Sequence, residues 1–176
     1  MAGDAVEQGP PVDGALEKGA SEARPGGAQD LSREGARLWR LLELARSFEP
    51  SLAPARLCGL LAGAAVELVE AERAFVFLVE EGSTRIAASR TFDGEEVREP
   101  ETKVSRTLLD RVLVAGEALL AEDAEAEPGV AAQSSIARLR LRSVVAVPLR
   151  AEGRIAGALY VDNRFRRAAF SDCDLR

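Results

Sequence analysis

Arg142-Ser-Val-Val-Ala-Val-Pro-Leu149, then Ala151-Glu-Gly153, then Arg154-Ile-Ala-Gly-Ala-Leu-Tyr-Val-Asp-Asn163 carries the strongest hairpin signal in the chain. Two apolar runs rich in valine flank a short Glu-Gly turn, the pattern of paired antiparallel strands. Pro148 has no N–H to give to a ladder, so it belongs at an edge or a bulge. Upstream, Arg73-Ala-Phe-Val-Phe-Leu-Val79 is apolar at every position after the arginine, so both faces of that strand should be covered. Glu80-Glu-Gly-Ser83 turns the chain, and Thr84 to Phe92 reads as its hairpin partner.

Between the hairpins, Ser105 is placed to cap a helix running to Ala115, with Gly116 where it ends. Ala118 to Glu122 is a short strand, Asp123 to Val130 a loop, and Ala131 to Arg140 a short helix. Before the first strand, Leu31, Leu38, Leu41, Leu42, Ala45 and Phe48 recur at helical spacing behind Asp30, a suitable N-cap, and Pro50 closes the segment. A second helix opens near Ser51 to Pro54, with a stripe of Leu57, Leu60, Leu61, Ala64, Ala65 and Leu68. A last helix is expected after Ser171. The order is helix, helix, strand, strand, helix, strand, helix, strand, strand, helix, which predicts an α+β fold: an antiparallel sheet with helices on both faces.

Residues 1–28 hold six of the fifteen glycines and three of the eight prolines, and six of their ten apolar residues are alanine. Such a segment buries too little to offset its ordering entropy, so it reads as a disordered acidic tail ahead of a single domain over residues 29–176.

Composition removes much chemistry. The 176 residues contain no histidine, and of the 23 basic residues only Lys18 and Lys103 are lysine. That excludes a Ser-His-Asp triad, a histidine base and histidine-bound haem or zinc. Neither lysine follows a glycine-rich turn in the order a phosphate-binding P-loop needs. No metal or cofactor is expected, and no enzymatic activity. The longest apolar or glycine run, Leu57 to Val66, is too short to cross a bilayer, and no signal peptide is evident, so a cytoplasmic setting is expected. From Gly129 onward nine arginines face four acids, but aromatic content of 5% leaves little for base stacking, which argues against direct nucleic-acid binding.

Taken together these phrases resemble the GAF domain, the small-molecule sensory module of signalling proteins, over about Leu41 to the C-terminus. The likeness is carried by Ala71-Glu-Arg-Ala-Phe-Val-Phe-Leu-Val79, by Val112 to Asp123, by Arg142 to Leu149, and by Gly157-Ala-Leu-Tyr-Val-Asp-Asn-Arg164. The wording is most similar to GAF domains placed N-terminally in bacterial sigma-54-dependent transcriptional activators. Similar domains precede histidine kinases and nucleotide cyclases. The resemblance therefore implies an effector domain in cis beyond Arg176.

GAF domains of cyclic-nucleotide phosphodiesterases carry Asn-Lys…Phe-x-x-x-Asp-Glu. Asn163, Arg164, Phe170 and Asp174 match it, with arginine for lysine and Leu175 for the final glutamate. Read structurally, Arg164 pairs with Asp174 and Phe170 plugs the core; the two departures count against cyclic-nucleotide binding. The resemblance also implies that a small molecule lies between the sheet and residues 123–141. The candidate ligand-binding residues are then Phe75, Phe77, Asp123, Gln133, Ser134, Ala137 and Leu141. Alternatively, Ser134 and Ser135 merely cap the short helix, and the fold serves as a ligand-free dimerisation scaffold. The near-heptad spacing over 31–48 fits a helix that pairs with its copy in a homodimer, or one that packs on its own sheet.

Overall fold

The hairpin is the centre of the sheet. In the computed structural model, β4 (Ser143–Ala151) turns through Glu152 and Gly153 into β5 (Arg154–Asn163). Both turn residues take positive φ, which matches the twist of the flanking strands. The structure describes residues 26–47, 53–126, 129–130 and 134–175. With β1 (Arg73–Glu80), β2 (Ser83–Thr91) and β3 (Leu119–Ala121), the strands form one antiparallel sheet in the order β2-β1-β5-β4-β3. Pro148 sits where the ladder tolerates it: β3 pairs with β4 only over Val144 to Ala146, and the β4–β5 register slips just beyond, between Leu149 and Arg150.

β1 is covered on both sides, as its unbroken apolar run requires. Ala74 and Val76 face α2 (Pro54–Leu68), while Phe75 and Phe77 face α3 (Arg106–Ala115), and all four are fully buried. Burying such side chains contributes roughly 2 kcal/mol each, enough for this strand to anchor both layers. The α2 face keeps part of the stripe read from the sequence: Ala64 and Ala65 are buried, while Leu60, Leu61 and Leu68 are half-buried. Cys58, Ala62, Ala64, Ala65 and Val66 are buried, and Leu57 is exposed. Small side chains turn inward because α2 lies close on the sheet, and the bulkier leucines are left at the flanks.

α3 ends as expected: Gly116 takes φ 67° and its N–H donates to the Val112 carbonyl oxygen at 2.9 Å. α4 (Ser134–Leu139) covers part of the predicted short helix. The final segment is a 3-10 turn over Asp172–Leu175 and not an α-helix. Asp174 closes it by accepting from the Ser171 amide and hydroxyl at 2.8 and 3.0 Å.

That use of Asp174 overturns the expected pair with Arg164. Arg164 instead bonds Glu72, at 2.7 Å from Nε and again from its terminal nitrogen, while its own amide donates to the other Glu72 oxygen at 2.8 Å. Asn163 accepts from the amides of Phe165 and Arg166, which fixes the turn after β5. Phe170 plugs the α2 side of the core at 1% exposure. Beside the Arg164 contact, Arg73 grips Asp162 with two bonds of 2.8 Å, both residues buried, so β1 is riveted to β5 at one end. Burial pushes the Asp162 carboxyl up to about 6 against the pull of the Arg73 guanidinium.

The first helix differs most from expectation. α1 runs Gly26–Ser47, so Asp30 lies within it and does not cap it, and residues 26–28 of the expected tail are helical. Phe48 lies outside the described residues. Leu38, Leu41 and Leu42 are 58%, 51% and 53% exposed, so the stripe does not pack on its own sheet.

Candidate functional site

Among the described residues, Ala124, Val130, Ile136 and Leu141 pack over the α3 side of the sheet, and there the chain builds an apolar cluster from three directions. Phe75 and Phe77 come from β1 with ring centroids 6.5 Å apart, and Tyr160 of β5 meets Phe75 edge-on at 6.0 Å. Leu108, Leu109 and Val112 descend from α3, and Ile136 and Leu141 come from α4 and the residue pair that follows it. All of these are at most 1% exposed.

Of the candidate ligand-binding residues, Phe75, Phe77 and Leu141 are therefore brought together. Ser134 and Ala137 are exposed, and Gln133 lies outside the described residues. Asp123 sits at the edge: one carboxylate oxygen meets Arg167 at 3.2 Å, and the other is buried without a hydrogen-bond partner. Arg138 and Arg140 are exposed, and Arg142 bonds Glu125. Arg140 takes φ 54° just past α4.

Three polar groups stand inside this apolar cluster, Ser105 and Ser135, which the sequence suggested as helix caps, and Tyr160, which it did not single out. Ser105 occupies the N-cap position of α3 yet makes no side-chain capping bond. Its hydroxyl instead meets the Ser135 hydroxyl at 2.6 Å, both buried. This corrects two readings at once, since neither serine caps a helix. The third group is Tyr160, whose phenolic oxygen is fully buried beside the Ser105 backbone amide and whose O–H meets no acceptor. Burial, and next the Asp162 charge, hold the phenol well above its ordinary pKa, while the Ser105 backbone amide beside it pulls the other way. It is a neutral O–H at any physiological pH.

A buried O–H without an acceptor costs about 1–3 kcal/mol, and such groups are rare enough in folded proteins to call for a reason. The Ser105, Ser135 and Tyr160 hydroxyls thus stand among buried aromatic and aliphatic side chains. A signal was present in the sequence: strand alternation puts Ala158 and Tyr160 on one face, and a tyrosine on a core face needs a partner for its hydroxyl. Among the described residues no cluster of three His, Cys, Asp or Glu could hold a metal, and no helix is long and apolar enough to cross a membrane. Cys58 is buried on the opposite, α2 face, where burial pushes its thiol up.

The sequence profile of the GAF domain family matches residues 54–176. No curated protein matches the chain. Among solved structures, it is similar to the GAF domain of an Acinetobacter phosphoenolpyruvate-protein phosphotransferase, at 14% identity and a TM-score of 0.59, covering 80% of this chain and 84% of that one. It is also similar to the GAF domain of a putative sensor histidine kinase from Pseudomonas syringae pv. tomato, at 16% identity, a TM-score of 0.58 and 84% and 83% coverage. A free methionine-R-sulfoxide reductase from Neisseria meningitidis shares the fold at 18% identity, with a TM-score of 0.58 and 83% and 81% coverage. At these identities the likeness speaks for the fold, and the α+β antiparallel sheet with its flanking helices agrees with it. With its profile matched from the first turn of α2 to the last residue, the chain belongs to the GAF domain family.

Proposed function

We propose that this GAF domain is a cytoplasmic, non-enzymatic sensor that takes up a small molecule beside Tyr160, Ser105 and Ser135 and passes its occupancy to an effector in cis beyond Arg176. The observation that carries the reading is the Tyr160 O–H, without an acceptor in an apolar cluster. A ligand acceptor atom there gains hydrogen bonds that the empty domain lacks, and by linkage its differential affinity sets how far it can bias one packing over another. The phrases Arg142 to Leu149 and Gly157 to Arg164 favour a sigma-54-dependent transcriptional activator as the effector, with a histidine kinase or nucleotide cyclase as the other candidates. Against an enzyme such as a sulfoxide reductase, Cys58 stands on the far side of the sheet from these hydroxyls.

A thermal-shift screen of small metabolites tests this directly. At least one compound should raise the melting temperature, since a ligand at 100 times its Kd adds about 2.7 kcal/mol to stability. If none does, the sensory reading fails.

A second reading, a homodimerisation scaffold, is favoured by α1. Arg37, Arg40 and Glu43 face the body of the domain, while Leu38, Leu41 and Leu42 face outward. A helix with its apolar stripe in water gains by pairing with its copy. Replacing Leu38 and Leu41 together by glutamate should convert a dimer to a monomer in sedimentation with the melting temperature nearly unchanged. An unchanged sedimentation coefficient would remove the pairing.

A further inference from the structure

α1 is attached to the domain in an unusual way. Helices in folded proteins are held mainly by burying an apolar face. Here, among the described residues, the side toward the domain carries Arg37, Arg40 and Glu43 beside Ala36 and Trp39. Arg40 meets Glu67 of α2 at 2.7 Å, and Arg37 meets Asp174 of the terminal 3-10 turn at 3.2 Å. Neither contact is aligned as a hydrogen bond: Arg40 Nε and Asp174 Oδ1 have no hydrogen-bond partner. Between α1 and α2 runs an open groove of about 520 Å3, bordered also by Glu43, Glu70, Arg166 and Trp39, where side chains would otherwise interlock. Glu43 is held by Arg40 within α1, and Arg166 faces Glu70 at 3.6 Å, so neither adds a contact that spans the groove.

We propose that α1 is a detachable arm held to the GAF body by an electrostatic latch, Arg40–Glu67 and Arg37–Asp174, so that ionic strength or a competing charge sets whether it is docked. The latch side chains Arg37, Arg40 and Glu67 are 47%, 39% and 56% exposed, so salt reaches and screens them, while Asp174 at 8% is the one buried member. Released, the arm changes its angle to the sheet while its leucine stripe stays outward in both states. The latch holds the arm whatever binds beside Tyr160.

The chain carries its own reporter. Trp39, the single tryptophan, lines the groove with the Arg46 guanidinium 5.9 Å from its ring centroid. Raising NaCl from about 0.01 M to about 1 M shortens the Debye length from about 30 Å to about 3 Å. Over that range the Trp39 emission of the full chain should move to longer wavelength, with far-UV circular dichroism unchanged. Glu67→Arg should show the shifted emission already at low salt. Adding Arg40→Glu to it should restore both the original emission and its salt dependence. If Glu67→Arg loses helical signal, Arg37→Gln, which opens the other contact, is the variant to read, with the same expectation. Emission indifferent to salt and to these variants overturns the latch. So does an emission shift that follows protein concentration at fixed salt, because Trp39 would then be reporting the pairing of copies.

Discussion

Gly157→Ala should cost about 3 kcal/mol or more, at the upper end for overpacking. Gly157 lies in β5 between Leu78 of β1 and Leu149 of β4. A Cβ there would stand 1.9 Å from the Phe77 carbonyl oxygen and 3.2 Å from the Leu78 Cα. Both are backbone atoms in a sheet, so relief requires the two central strands to part. Those strands bring Phe75, Phe77 and Tyr160 together, and the site would loosen with them. The measurement is the urea midpoint. Gly63→Ala in α2 is the control, because an added Cβ there meets nothing within 4 Å. That substitution should be neutral, or stabilise by up to about 1 kcal/mol through helix propensity. Similar midpoints for the two variants would mean that β1 and β5 are not packed as described.

Arg73→Met should be the other severe substitution, and a pH-dependent one. Arg73 is 4% exposed and Asp162 fully buried, and they share two bonds of 2.8 Å. Removing one partner of a buried pair leaves the other without compensation, at a cost of about 3–5 kcal/mol. Asp162 titrates near 6 in the fold, above the ordinary aspartate value of about 3.9. The folded state therefore holds its proton more tightly than the unfolded state. The stability this supplies is fully present below about pH 4 and is lost as the pH rises through 6. Without Arg73, which pulls the value down, the folded pKa climbs further and the loss continues to higher pH. The gap between wild type and Arg73→Met in denaturant titrations should thus be small near pH 5 and widest near pH 8. A gap independent of pH would show that the carboxylate does not need the guanidinium.

What could be read from the sequence divides along the range of the interaction. The β4–β5 hairpin, the doubly covered β1 and the Gly116 stop are set by residues within a few positions of one another, and strand period and turn chemistry suffice for them. Arg164 shows the opposite case. Asp174, ten residues on, was the nearest acid that fitted the motif, whereas the partner used is Glu72, 92 positions away and carried alongside by the pairing of β1 with β5. Ser105 and Ser135 are likewise 30 positions apart, and each alone looks like an ordinary helix start. α1 misled for another reason. Periodicity tells that a helix has an apolar face, but not whether that face meets its own domain. In α2 the alanines of the stripe went further inward than its leucines, because close approach to a sheet favours small side chains over bulkier ones.

That the Tyr160 hydroxyl is kept for a ligand is tested by the stability of Tyr160→Phe in the absence of any ligand. The substitution removes only the buried hydroxyl whose O–H meets no acceptor. If that hydroxyl waits for an incoming acceptor, the variant should melt higher than wild type, by the equivalent of about 1 kcal/mol. It should also lose the stabilisation that metabolites give the wild-type domain. A variant that melts lower, and still responds to the same metabolites, would mean that the hydroxyl already has its partner within the fold and that the sensory site is elsewhere.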